Sequence, residues 1–362
     1  VRRYLGVFPL VVYVVVATVF WRRDGVPVLD DRLWPWLLGL VVALSLTNPR
    51  RLVRGLLFDW LPFIVALTAY DLLRGIADGR LLPAHARPQM WVDKYLFGFG
   101  TVPTVFLQRH LFDPARLHWY DYATWLVYLS HFFLTPLLAA ALWLWAPERF
   151  RRFAVLVVAI SFTAMVTYVL YPAMPPWLAG ETGVIPPVTR IVQVVTGHLP
   201  YLDGRALFEK GTAWANDIAA MPSLHESLAL LFSITLWPLA GRIVRVLLVL
   251  YPLAMAFALV YSAEHYVLEV VMGAVYTVVV IRVVDRVELR KRRRAPTLRP
   301  APALVADLSS ERPSMGEVAA GNYGWASAES TASSRRGRKP RSVSASPGES
   351  GFGTSRRESW SG

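Results

Sequence analysis

Two short stretches of this sequence carry side chains that could do chemistry together. The first is Ala220-Met221-Pro222-Ser223-Leu224-His225, which closes a polar segment and opens an apolar run. Proline suits the start of a helix and serine caps one. The backbone N–H groups of such a turn favour an anion, most often a phosphate. The second is Glu264-His265-Tyr266-Val267-Leu268-Glu269, followed by Gly273. His265 and Glu269 are four residues apart and share a helix face, where a carboxylate can hold an imidazole in one tautomer and raise its basicity. Two histidines and a carboxylate fit nucleophilic displacement at phosphorus. One imidazole attacks while the other protonates the leaving oxygen.

The elements between the two stretches have to bring them together. The chain is 55% apolar and only 17% charged, with a mean hydropathy of +0.40. Soluble proteins carry about a quarter charged residues, so these apolar runs imply a bilayer. We read eight spanning helices, at about 4–21, 33–47, 56–73, 120–146, 153–171, 223–240, 243–262 and 265–284. A helix descending from Ser223 and a second one climbing back cover similar lengths, about 27 and 30 Å at 1.5 Å per residue, and so return His265 to the level of His225. The absence of cysteine excludes disulfides, thiolate catalysis and cysteine metal sites.

Charge gives the orientation. Arg50, Arg51 and Arg54 crowd one short loop, Arg149, Arg151 and Arg152 another, and Arg242 and Arg245 a third. With eight spans these fall on the side of Arg2 and Arg3, so both termini are expected in the cytoplasm of a bacterial plasma-membrane protein. Arg22, Arg23 and Arg32 on the other side run against that pattern. The first span has no small-residue cleavage site before Arg22 and reads as retained. Two long loops, 74–119 and 172–222, then lie outside, and function concentrates in such loops. From Arg290 onward there are 14 Lys or Arg against 6 Asp or Glu, a net of +8 out of the chain's +13. The excess marks a Ser/Pro/Arg-rich tail, expected to be disordered and cytoplasmic, with Lys291–Arg294 placed to meet anionic lipid headgroups rather than nucleic acid. The organisation expected is 1–55 as two N-terminal spans, 56–284 as the catalytic core, and 285–362 as the tail.

At this point a family resemblance becomes specific. Pro222-Ser223-Leu224-His225 resembles the Pro-Ser-x-His motif of the type 2 phosphatidic acid phosphatase superfamily. His265-Tyr266-x-x-Glu269-x-x-x-Gly273 resembles its His-Tyr-x-x-Asp-x-x-x-Gly motif. Tyr171-Pro172-Ala173-Met174-Pro175-Pro176-Trp177 resembles a Pro-Pro-Trp element of the inositol phosphorylceramide synthase-like (inositolphosphotransferase) branch. The resemblance covers about 56–284. It implies an all-α transmembrane bundle with a six-helix phosphatase-type core, two further N-terminal spans, and no metal or soluble cofactor. It also implies His265 as a nucleophile forming phosphohistidine, His225 as general acid, Glu269 as the group orienting His265, and Ser223 helping to hold phosphate. Three positions depart from the pattern: Glu269 stands where the family has Asp, Leu259 where the phosphatase branch has Arg, and only Arg87-Pro88 hints at the first basic motif. Arg74, Arg87 and Lys94 are then the candidate phosphate ligands, with Arg190, Arg205 and Lys210 weaker ones.

Plainer readings stand beside these. Ser-x-His can be no more than a helix cap, His265 with Glu269 a structural pair, and Pro175-Pro176-Trp177 a rigid turn. His131, mid-span, reads first as a neutral imidazole bonded to a neighbouring helix. Asp121 is either structural or substrate-facing, Asp71 and Arg74 read as an ion pair, and His85, His110, His118 and His198 as loop histidines. Ala229 excludes a zinc-protease motif starting at His225. Glu264 could position an acceptor hydroxyl. The expected activity is phosphoryl or phospho-headgroup transfer or hydrolysis on a phospholipid or isoprenoid phosphate. A transporter using the histidines as a proton relay and a non-catalytic scaffold are the alternatives.

Overall fold

The structure is a computed structural model that describes residues 8–24, 36, 38–43, 49–76, 82–97, 100–199 and 216–294. Among these residues the fold is all-helical, with no strand. In chain order the helices are α1 (Phe8–Asp24), α2 (Pro49–Gly55, a π-turn at Leu56–Trp60, then Leu61–Ile76), α3 (Arg87–Leu96), α4 (Pro103–Leu111), α5 (Trp119–Trp145), α6 (Pro147–Leu170), α7 (Pro176–Glu181), α8 (Ile191–Gly197), α9 (Leu224–Leu236), α10 (Arg242–Tyr261) and α11 (Val267–Arg294). The chain within 33–47 is helical at 38–43. The rest of that expected span, Arg205, Lys210 and everything after Arg294 lie outside the described residues.

Among the described residues, five helices are long and apolar enough to cross a bilayer: Leu52–Gly75, α5, α6, α10 and α11. Their outward faces stay apolar, as at Phe58, Val155, Ile243 and Leu253, each more than half exposed. Water would penalise such a belt, whereas hydrocarbon does not. The chain is a multi-pass membrane protein. Proline sits in the first turn of α3, α4, α6 and α7, where its missing N–H costs nothing. The sixth core helix, α9, is only 13 residues long and gives way to a 3-10 turn at Trp237–Leu239, where Pro238 removes a backbone donor.

α9 is the central helix, packed on α5, α6, α10 and α11. At one end of the bundle, Trp60, Phe63, Trp143 and Phe150 interlock edge to face. Asp59 is held there between Trp143 Nε1 and Arg151 Nε, each at 3.1 Å, and Arg152 pairs with Asp285 and Glu288 of α11. At the other end the two long loops are tied together. His85 N–H donates to Pro172 O (2.8 Å), Met174 N–H to His85 O (2.9 Å), and Ala173 N–H to Ile218 O (2.7 Å).

One close approach sets the spacing at this end. Ser223 N–H donates to Glu269 O at 3.0 Å, and Ser227 Oγ donates to Gly273 O at 2.9 Å. A Cβ on Gly273 would lie 2.3 Å from Ser223 O, so only glycine lets α9 and α11 meet this closely. Gly273→Ala is expected to force the helices apart and destabilise the protein by roughly 1–3 kcal/mol, read as a lower melting temperature in detergent. Gly75→Ala, with nothing within 4 Å of its Cβ, serves as the control and leaves the melting temperature unchanged.

Candidate active site

The contact at Gly273 brings the two histidine-bearing helix starts side by side. The His225 and His265 rings lie 5.9 Å apart, centroid to centroid. His265 Nδ1 is 3.1 Å from Glu269 Oε2, which also accepts Tyr266 N–H at 3.1 Å. Glu269 is fully buried. It is the third residue of α11, and from there its side chain reaches back to the N–H preceding the helix, as the glutamate of a capping box does. The extra methylene relative to aspartate is thus used: one carboxylate oxygen caps the helix and holds His265 at once.

The rest of the α11 N-terminus is held by a residue that sequence reasoning passed over. Asp93 of α3, fully buried, accepts Val267 N–H at 2.8 Å and Leu268 N–H at 2.9 Å. Burial pushes its carboxyl up to about 6, against the two N–H bonds that favour the anion. With those donors occupied, the start of α11 is closed to an incoming phosphate, and the anion must look elsewhere.

The turn before His265 is clamped from three sides. Ala263 has a positive φ of 63°, a conformation costing a non-glycine residue on the order of 1 kcal/mol. Its carbonyl accepts Trp177 N–H at 3.0 Å, so the Pro175-Pro176-Trp177 element is a brace for this turn. Glu264 N–H and His265 N–H both donate to Leu259 O, at 3.0 and 3.1 Å. Arg190 then grips Glu264 through two bonds, Nε to Oε1 at 2.7 Å and Nη2 to Oε2 at 2.9 Å, and lies 4.6 Å over the Trp177 ring. Both partners are largely buried. Glu264 therefore has both oxygens on Arg190 rather than open to an acceptor hydroxyl, contrary to the sequence expectation.

His225 sits against α5. Tyr128 stacks on its ring at 4.8 Å, His131 at 4.1 Å, and Phe132 meets it edge-on at 5.8 Å. His131 is twelve residues into the 27-residue α5, roughly 18 Å from its first residue. His225 therefore meets α5 near its middle. Ser223 Oγ caps α9 by accepting Glu226 N–H at 3.4 Å, and Pro222 O accepts Tyr168 Oη at 2.8 Å.

Among the expected phosphate ligands, Arg74 pairs with Asp71 at 3.8 Å, as read from the sequence, and lies 5.8 Å over the Tyr70 ring. Arg87 is exposed in the first turn of α3, and Lys94 lies 5.7 Å over the Trp91 ring. Asp121 is structural, since it accepts Tyr261 Oη at 2.6 Å and His118 N–H at 2.7 Å. Among the described residues, no three His, Asp or Glu side chains are grouped to hold a metal ion.

Comparison with known proteins fits this geometry. The family model described as the PAP2 superfamily matches residues 107–283, which contain both histidine motifs. This segment belongs to the PAP2 superfamily. A relative, the phosphoinositol dihydroceramide synthase of Bacteroides thetaiotaomicron, is 26% identical over 231 residues, covering 61% of this chain and 73% of the relative. No solved structure matches the chain. Both matches support the inositol phosphorylceramide synthase-like branch of the PAP2 superfamily and a membrane enzyme of the lipid phosphatase or phosphotransferase kind. The basic residue of the phosphatase branch has no room here: Leu259 is fully buried among Ala229, Met255, Val260 and Val270. Arg190, from the second long loop, is instead bonded to Glu264, the residue before His265.

Arg190→Gln is expected to leave Glu264 as a buried unpaired charge and to cost about 3–5 kcal/mol. Adding Glu264→Gln should recover most of that loss, as followed by thermal unfolding in detergent. A double variant as unstable as the single one would contradict the pairing.

Proposed function

We propose that this protein transfers a phospho-headgroup, of the phosphoinositol type, between membrane lipids through a covalent phosphohistidine at His265. The observation that carries the reading is the His265–Glu269 bond. With Nδ1 held by the buried carboxylate, Nε2 is the nitrogen left to attack phosphorus. As the new P–N bond forms and the P–O bond breaks, His225 gives its proton to the leaving lipid oxygen. In the second half-reaction an acceptor hydroxyl attacks the phosphohistidine and returns a proton to His225. Water as acceptor would make the reaction a hydrolysis. Arg74 and Arg190 supply positive charge for the transferred group, whose phosphoryl oxygens carry negative charge in flight. Ser223, Arg87 and Lys94 remain candidates for holding the donor. The name of the Bacteroides relative, together with the motif branch, favours an inositol-bearing donor and a lipid hydroxyl acceptor over simple phosphate release.

The arginine-rich short loops favour an extracytoplasmic position for the histidines, reached by lipids from the outer leaflet. The basic residues from Lys291 to Arg294 and beyond would contact anionic headgroups on the other side.

The test uses the purified protein in mixed micelles with phosphatidylinositol and a long-chain lipid alcohol or ceramide, with chelator present. The expected outcome is a new inositol-phosphate lipid from wild type, none from His265→Ala, and a rate lowered at least about 100-fold in Glu269→Gln. Glu269→Asp should fall between, because the shorter side chain gives up either the cap or the imidazole. Product formed equally by wild type and His265→Ala would remove the reading.

A further inference from the structure

We propose that His131 is a positioning residue for His225, holding the general acid so that its proton points at the leaving oxygen. The inference rests on the function proposed above and extends it to a third histidine outside both sequence motifs.

The argument starts from helix spacing. Tyr128, His131 and Phe132 stand at i, i+3 and i+4 on α5 and so share one face. That face is turned to the start of α9, and all three rings contact the His225 ring, Tyr128 stacked, His131 tilted and Phe132 edge-on. His131 makes the closest of the three contacts, at 4.1 Å and 35° between planes. His225 is at the first turn of its helix, with only Ser223 and Leu224 between it and the Pro222 turn. Its own helix therefore gives it little support, and the α5 cradle fixes the ring.

A phenylalanine would pack as well as His131 and would suit the middle of a spanning helix better. An ionisable ring at such a depth is expensive unless it is used. What histidine adds is nitrogen. His225 Nε2 and His131 Nδ1 are both buried with no hydrogen-bond partner among the described residues. Two protonated rings this close would repel strongly, so the pair carries at most one proton. In the proposed role that proton is on His225 when the leaving oxygen departs.

This role has a signature that packing alone lacks. A positioned acid matters only when the leaving oxygen needs a proton. The donors compared are phosphatidylinositol, whose leaving group is an alkoxide, and 4-nitrophenyl phosphoinositol, whose phenolate leaves unaided. Both pass through the same phosphohistidine. For His131→Phe we expect the single-turnover rate of phosphohistidine formation from phosphatidylinositol, measured with acceptor withheld, to fall about 10–100-fold. With the nitrophenyl donor it should stay within about threefold of wild type, and His225→Ala should show the same selectivity for the good leaving group. Wild-type behaviour of His131→Phe with both donors would show that His131 is only a packing ring and overturn the proposal. Equal loss with both donors would do the same, by placing its effect on the fold or on His265. If His131→Phe is poorly folded by size exclusion, His131→Asn is read in the same way. His265→Ala separates this from the underlying reading: activity surviving that change with either donor defeats the proposed function, whatever the His131 variants show.

Discussion

The close contact between α9 and α11 at Gly273 is the constraint on which the site depends. Ser223 donates its backbone N–H to the carbonyl of Glu269, the residue whose side chain holds His265. Backbone register and side-chain chemistry are thus coupled through one residue. The missing Cβ at Gly273 allows the approach, and Ser227 and Thr277 bond across it to keep the register. The two histidines face each other because their helices can come no closer and slide no further.

Around this contact, nearly every backbone donor at the start of α11 is already committed. Asp93 takes two, Glu269 a third, and the turn ahead of the helix is braced by Trp177 and by the Arg190–Glu264 pair. Such a site is rigid, and rigidity of this kind lets a buried imidazole keep one orientation through a reaction. Breaking the desolvated Arg190–Glu264 pair is costly, and in return it fixes a cation beside the histidines. The short α9 completes the arrangement by bringing His225 against the middle of α5.

Much of this was legible in the sequence, and the reasons are local. His225 and His265 stood out because Pro-Ser marks a helix start and because four residues put Glu269 beside His265 on one helical face. The spans were legible because hydrocarbon demands long apolar runs, and α9 with its 3-10 turn, 224–239, matches the expected 223–240. That His225 meets α5 near its middle was not legible, since it depends on where the Pro222 turn docks, which no local pattern states. His131 looked like a solitary buried histidine, because nothing in the sequence says that its helix lies against His225. Lys94 drew attention as a charge in a loop, while its neighbour Asp93, turned inward, does the structural work. Arg190 and Glu264 are 74 residues apart, so their pairing is a tertiary fact, and each alone read as a free charge.

The most direct test of the account is to trap the covalent intermediate. The enzyme would be quenched during turnover of inositol-labelled phosphatidylinositol and its peptides mapped by mass spectrometry under alkaline conditions that preserve phosphohistidine. The account predicts a phosphoinositol adduct on His265, accumulating when acceptor is withheld and discharged when acceptor is added. Turnover without any adduct on His265, or with the label on another residue, would contradict it.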